Sequence, residues 1–146
     1  MVVVALGDTF WHDKTISPNG HLYVVLSDPT KDPERVVVAN FTTREPGCDE
    51  TCVVTKREHR WLSHDSVVAY QFAKHTTRRS LEFGIKAGLL KTHDKASPEL
   101  VAKMAKGLLD SKVVPEVVKQ TVRQHGPTPP PAPGSSPPGP APGKKK

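Results

Sequence analysis

The side chains best suited to chemistry in this sequence are cysteines, histidines and arginines gathered near its middle. Cys48 and Cys52 have three residues between them and are followed by His59 and His64. Cysteine and histidine are the ligand types that zinc prefers. The six residues between Cys52 and His59, however, are far fewer than a C2H2 finger uses. Cys52 also opens an apolar stretch, where a buried cysteine is ordinary packing. The expectation is therefore no metal and no cofactor, with the cysteines as a local disulfide or two free thiols.

The same region is basic. Lys56, Arg57, Arg60, Lys74, Arg78 and Arg79 face only Glu58 and Asp65, with His59, His64 and His75 interleaved. Such a run is either a solvated face or a groove for a phosphate backbone. Trp61, next to Arg60 in a polar connection, is the aromatic residue placed to stack on a base. Trp11, Tyr23, Tyr70 and Phe72 read as core. Phosphate-cradling glycine loops, paired-carboxylate signatures and nucleophile elbows are missing, which excludes the enzyme classes built on them.

These residues need a scaffold, and its centre is His21–Thr43. Two apolar runs, Leu22–Leu26 and Val36–Phe41, flank a break carrying Pro29, Asp32 and Pro33. Their valine and aromatic content predicts an antiparallel pair of strands, and the prolines predict a loop of six to eight residues. Both runs are nearly continuous, which predicts burial on both faces. Val2–Leu6, Thr9–His12, Cys52–Thr55 and Ser66–Phe72 read as further strands, with Lys56–Asp65 as an irregular connection. The pattern is that of a small barrel or sandwich.

Ser97-Pro98-Glu99 combines a capping hydroxyl, proline at the first helical position and an acid near the positive end of the dipole, so a helix starts there. Leu100, Val101, Met104, Leu108 and Leu109 form its apolar stripe. Pro115 opens a shorter helix with Val117, Val118 and Val122 facing inward. Arg79–Leu90 stays open: Leu81, Phe83 and Ile85 alternate like a strand, while Lys86–Leu90 fits a helical turn. The fold class expected is mainly β with C-terminal helices.

Nine of the fifteen prolines lie in Gly126–Lys146, a segment with no aliphatic side chain larger than proline or alanine. It cannot bury enough surface to offset its ordering entropy, so residues 126–146 read as a disordered tail and 1–125 as the folding unit. Three of the basic residues are Lys144–Lys146, leaving 18 Lys/Arg against 15 Asp/Glu in the folding unit. That balance by itself does not select nucleic acid as partner. The apolar start, Met1–Leu6, is short and lacks a basic flank, and no run approaches a membrane span, so a cytoplasmic protein without membrane contact is expected.

Gly7-Asp8, Gly20-His-Leu-Tyr-Val-Val-Leu-Ser27, Val36–Thr43, Ser66-Val-Val and Gly88-Leu-Leu occur in an order that resembles the MazF/PemK family of toxin endoribonucleases over about residues 5–110. The resemblance implies a small SH3-like β-barrel with a C-terminal helix, a homodimer, a cognate antitoxin partner, and cleavage of single-stranded RNA without metal. The family has Arg-Pro before its second-strand run, the arginine being a catalytic candidate; here His21-Leu22 takes that place. Metal-free cleavage needs a base for the 2′-OH, an acid for the leaving 5′-oxygen, and stabilisation of the phosphorane charge. Histidine suits the first two and arginine the third. The catalytic candidates are thus His21, Thr43, Arg44 and His64, and the RNA-binding candidates are Lys56, Arg57, Arg60, Trp61, Lys74, Arg78 and Arg79. The alternative is a non-catalytic SH3-like module that binds nucleic acid or a protein.

One test follows from composition. Deleting residues 126–146 should leave the melting temperature within about a degree, since no packed side chain is lost. A fall of several degrees would show that the segment docks on the domain.

Overall fold

A computed structural model describes residues 3–12, 21–60, 62 and 64–127. The expected tail lies almost wholly outside these, as does Trp61. The elements are strands β1 (Thr9–His12), β2 (His21–Val25), β3 (Val36–Thr43), β4 (Val53–Val54) and β5 (Ser66–Val68), then β6 (Lys74–Thr76), helix α1 (Arg78–Lys86) and β7 (Leu90–His93). Helices α2 (Pro98–Asp110) and α3 (Glu116–His125) close the chain. All the strand pairings are antiparallel, in the order β4-β5-β3-β2-β1-β7, with β6 also paired to β3. The sheet is mainly β with C-terminal helices, as expected, but it is open, with β4 and β7 at its edges.

The central hairpin forms as its sequence predicts. Tyr23 pairs with Asn40 and Val25 with Val38. Its connection, residues 26–35, is longer than expected because turn chemistry fills it: the Asp32 carboxylate accepts from the N–H groups of Glu34 and Arg35 at 3.1 and 3.2 Å. Burial on both faces also holds. Leu22, Val24, Leu26, Val37, Ala39 and Phe41 enter one cluster with α2 and α3, while Val25, Val36 and Val38 enter another with Leu81 of α1. The alternation is the period of two of a strand whose two sides are both covered.

Several local expectations yield to tertiary constraints. Val3–Ala5 form no strand, because Asp8 folds back on this segment: its N–H donates to the Ala5 carbonyl and its carboxylate accepts from the Ala5 N–H at 2.9 Å. Gly7 makes this turn with φ of 88°, a backbone region that side chains disfavour. The segment left open resolves as α1, capped by the Thr77 hydroxyl, which accepts from the Ser80 N–H. Leu81 is buried and Phe83 is exposed, so the apparent alternation there is not a strand's. In α3, Val118 and Val122 face inward as expected, but Val117 is 55% exposed.

The strand expected over Ser66–Phe72 stops at Val68, and a 3-10 turn, Tyr70–Phe72, takes over. Phe41 of β3 lies opposite Val68, and Val38 lies opposite Lys74, so Ala39 and Asn40 together face the five residues 69–73. β5 and β6 are thus one strand interrupted by three surplus residues. Tyr70 holds the interruption in place: it is fully buried, and its hydroxyl donates to the Met104 carbonyl of α2 at 2.7 Å. Burial raises the Tyr70 pKa, so the hydroxyl stays protonated and able to donate.

Gly107 lets α2 come this close, since a Cβ there would overlap the Tyr70 hydroxyl and press on Cys52. Helix propensity favours Gly107→Ala by about 1 kcal/mol. The clash should win, giving a net loss of ~1–3 kcal/mol in urea unfolding. Tyr70→Phe removes the obstructing oxygen, so in a double-mutant cycle it should reduce the cost of Gly107→Ala. A stabilising Gly107→Ala would show that the approach is not tight.

Helix α3 docks through a second polar contact. The Thr121 hydroxyl donates to the Val117 carbonyl and accepts from His75 Nε2 of β6 at 2.8 Å. Burial lowers the His75 pKa; nearby Arg35 lowers it further, and Asp32 opposes. A depressed histidine contributes stability above its unfolded pKa, about 6.5, and loses it as pH falls through the lower folded value. The melting temperature should therefore drop as the pH falls below about 6.5, before the carboxylates protonate. His75→Gln should shrink that drop; an unchanged profile would remove His75 as its cause.

Candidate functional site

The catalytic candidates all lie toward one end of the sheet, away from the 26–35 connection: His21 opens β2, Thr43 ends β3, Arg44 follows it, and His64 precedes β5. Contact joins two of them. Thr43 Oγ1 and His64 Nε2 are 3.2 Å apart on the exposed rim. Strand pairing makes this meeting, because Thr43 lies opposite Ser66 and brings β3 alongside the residues entering β5. Arg44 turns instead to Glu50, its Nε donating to the carboxylate, and this ion pair raises its pKa. Both partners are about half exposed, so the pair contributes little to stability.

His21 belongs to a different surface. Its parity on β2 is that of Tyr23 and Val25, whereas Thr43 shares the parity of Ala39 and Phe41 on β3. The two therefore project from opposite faces of the sheet. His21 packs edge-on to Tyr23, with ring centroids 6.5 Å apart, and Phe10 stacks on Tyr23 at 5.8 Å. Burial raises the Tyr23 pKa.

This second surface holds a cleft of about 480 Å³ lined by His21, Tyr23, Asn40, Gln71, Phe72, Ala73 and Lys74. Its origin is the interruption between β5 and β6: the 3-10 turn arches over Asn40 instead of pairing flat with β3. Asn40 is 1% exposed. Its Nδ2 donates to the Phe41 carbonyl at 3.2 Å, but its Oδ1 has no hydrogen-bond partner. A buried amide oxygen left this way costs about 1–3 kcal/mol. Phe72, on the arch, is 61% exposed, although the sequence places it in the core. The signal for this surface was faint: Asn40 interrupts an apolar strand, and nothing local tells that the neighbouring strand breaks beside it.

The basic candidates divide into two groups. Lys56 and Arg57 are exposed in the connection after β4, and Arg60 pairs with Asp94 at 3.3 Å. Lys74 lines the cleft, Arg78 pairs with Glu82 at 3.5 Å, and Arg79 is exposed on α1. Trp61 lies outside the described residues. His59 is buried, its Nε2–H donating to the Asp94 carbonyl at 2.7 Å, which also accepts from Thr9 Oγ1. The contact spans the two open edges of the sheet, from the turn after β4 to the end of β7. Both cysteines are free, and Cys52 is buried beside Tyr70. Among the described residues no group of three or more His, Cys, Asp or Glu side chains is placed to hold a metal ion, and no helix is long and apolar enough to cross a membrane.

No family model matches the chain, and no curated protein matches it.

Proposed function

We propose that the chain is a metal-independent endoribonuclease acting on single-stranded RNA, a divergent toxin of the MazF/PemK type whose open sheet is a variant of the SH3-like barrel. The observation that carries this reading is the Thr43–His64 contact on the exposed rim, with Arg44 next in the chain. The threonine hydroxyl orients the imidazole. His64 then takes the 2′-OH proton, and that oxygen attacks the adjacent phosphorus. Arg44 meets the charge that grows on the phosphorane oxygens; its bond to Glu50 uses Nε, and a guanidinium carries five N–H donors. His21 projects from the opposite face of the sheet, so the proton for the leaving 5′-oxygen comes from solvent water. The products are a 2′,3′-cyclic phosphate and a 5′-hydroxyl. A homodimer, a neutralising antitoxin and a cytoplasmic site of action belong to the same reading.

A second reading, a non-catalytic RNA-binding module, is favoured by the opposite faces of His21 and Thr43 and by the engagement of Arg44 with Glu50. Incubating the full chain with single-stranded RNA in EDTA separates the two. The enzyme yields defined fragments with cyclic phosphate ends, and His64→Ala lowers their rate by ~10²–10⁴. Retarded but intact RNA would establish the binder, and cleavage unaffected by His64→Ala would move the chemistry elsewhere.

A further inference from the structure

The exposed rim carries an acid to which the cleavage chemistry gives no task. We propose that Glu50 is a positioning residue for Arg44: it grips the guanidinium at Nε and leaves the fork of Nη1 and Nη2 presented to the scissile phosphate. This role rests on the nuclease reading, in which Arg44 meets the charge on the phosphorane.

The contact has the right shape for this. Arg44 Nε, the guanidinium nitrogen nearest the backbone, donates to Glu50 Oε2 at 2.5 Å. Among the described residues it is the one hydrogen bond of the Arg44 side chain, so both Nη groups stay open. The paired N–H groups of a guanidinium match two phosphate oxygens. An acid that served to block RNA would cover the Nη edge, whereas Glu50 takes the side toward the chain.

Several local devices bring Glu50 there. Arg44 leaves β3 and Glu50 precedes β4, two strands that are not neighbours, since β5 lies between them. The loop spanning them turns at Gly47, with φ of 85°, and the Cys48 N–H donates to the Glu45 carbonyl at 3.1 Å. Asp49 fixes the next step, its carboxylate accepting from the Thr51 N–H at 2.9 Å and from the Thr51 hydroxyl. Thr43 and Val54 both pair with Ser66, so one residue of β5 sets the two ends of the loop in register. Neither stability nor affinity gives a reason for the pair. It is half exposed, and an acid beside a cation lowers the positive potential that attracts RNA. Orientation does give one: a guanidinium on a flexible stem loses rotamer freedom on binding, and an anchor at Nε removes part of that loss beforehand.

The test uses the full chain and a mixed-sequence single-stranded RNA in EDTA, with single-turnover rates measured as the protein concentration is raised. The plateau rate reports chemistry, and the half-saturating concentration reports binding. Glu50→Ala should lower the plateau about tenfold, while binding stays unchanged or tightens. Glu50→Gln keeps an amide oxygen that accepts from Nε, and it should recover most of the rate. Glu45→Ala removes another exposed acid of the same loop and should leave the plateau unchanged. In an Arg44→Lys background, which has no fork to orient, Glu50→Ala should lower the plateau no further. Thermal melting of Glu50→Ala should stay within about two degrees of the parent, since the pair is half exposed.

A plateau that is unchanged or raised in Glu50→Ala overturns the positioning role and leaves the nuclease reading standing. An equal fall in Glu45→Ala, or an equal further fall in the Arg44→Lys background, overturns it as well, because Glu50 then acts through loop charge or on another group. Glu50→Gln as slow as Glu50→Ala shows that the acceptor at Nε does not serve, with the same consequence. A parent that leaves RNA intact removes the nuclease reading and the positioning role together.

Discussion

The hydrogen bond from Tyr70 to the Met104 carbonyl is the contact on which the rest of the architecture turns. It ties the middle of the sheet to α2 and draws the chain off the edge of β3 just after Val68. A tyrosine buried to this depth must place its hydroxyl, and the helix offers a carbonyl only if it approaches closely. Gly107 permits the approach. The consequence is a strand in two pieces, β5 and β6, offset by three residues along β3. The cleft, the exposed Phe72 and the unpartnered Asn40 oxygen all descend from that offset.

The rim and the cleft relate to the break in different ways. On the rim beyond Phe41, pairing with β5 is regular, so Thr43 and His64 meet in a geometry set by backbone register. Beside Asn40 the regular pairing ends, with one last bond from the Ala69 N–H to the Asn40 carbonyl at 2.8 Å before the 3-10 turn. The Thr43–His64 contact is held by the rigid register of paired strands. The cleft has the opposite origin, a gap in the sheet with an aromatic lip. β3 borders both because its two halves pair with different neighbours on the same edge.

His59 does for the sheet edges what Tyr70 does for the middle. The sheet does not close through strand pairing, yet the imidazole reaches from the turn after β4 to the carbonyl that ends β7. A carbonyl only accepts, so the bond fixes the proton on Nε2. A histidine within an apparent metal-ligand spacing is thereby occupied as structural mortar, and the basic residues beside it are spread over a connection that ends in an Arg60–Asp94 pair.

Local chemistry determined much of this protein in advance. The β2–β3 hairpin follows from valine-rich runs around a proline-bearing break, and α2 follows from its Ser-Pro-Glu start and apolar stripe. In both, neighbours in the chain carry the information, so periodicity and capping reveal it. β6 and β7 were illegible, being short, polar strands whose only reason to be extended is a distant partner: Lys74–Thr76 on β3 and Leu90–His93 on β1. The candidate site divides in the same way. His64, Thr43, Arg44 and His21 were legible as chemical types, and their placement toward one end of the sheet follows from strand order. Which of them touch was decided by register, since a strand turns successive side chains to opposite faces and so parts His21 from Thr43. The Asn40 cleft was decided by tertiary structure alone. It exists because Tyr70 sought a hydrogen bond in α2, thirty-four positions along the chain, and no local pattern records that demand.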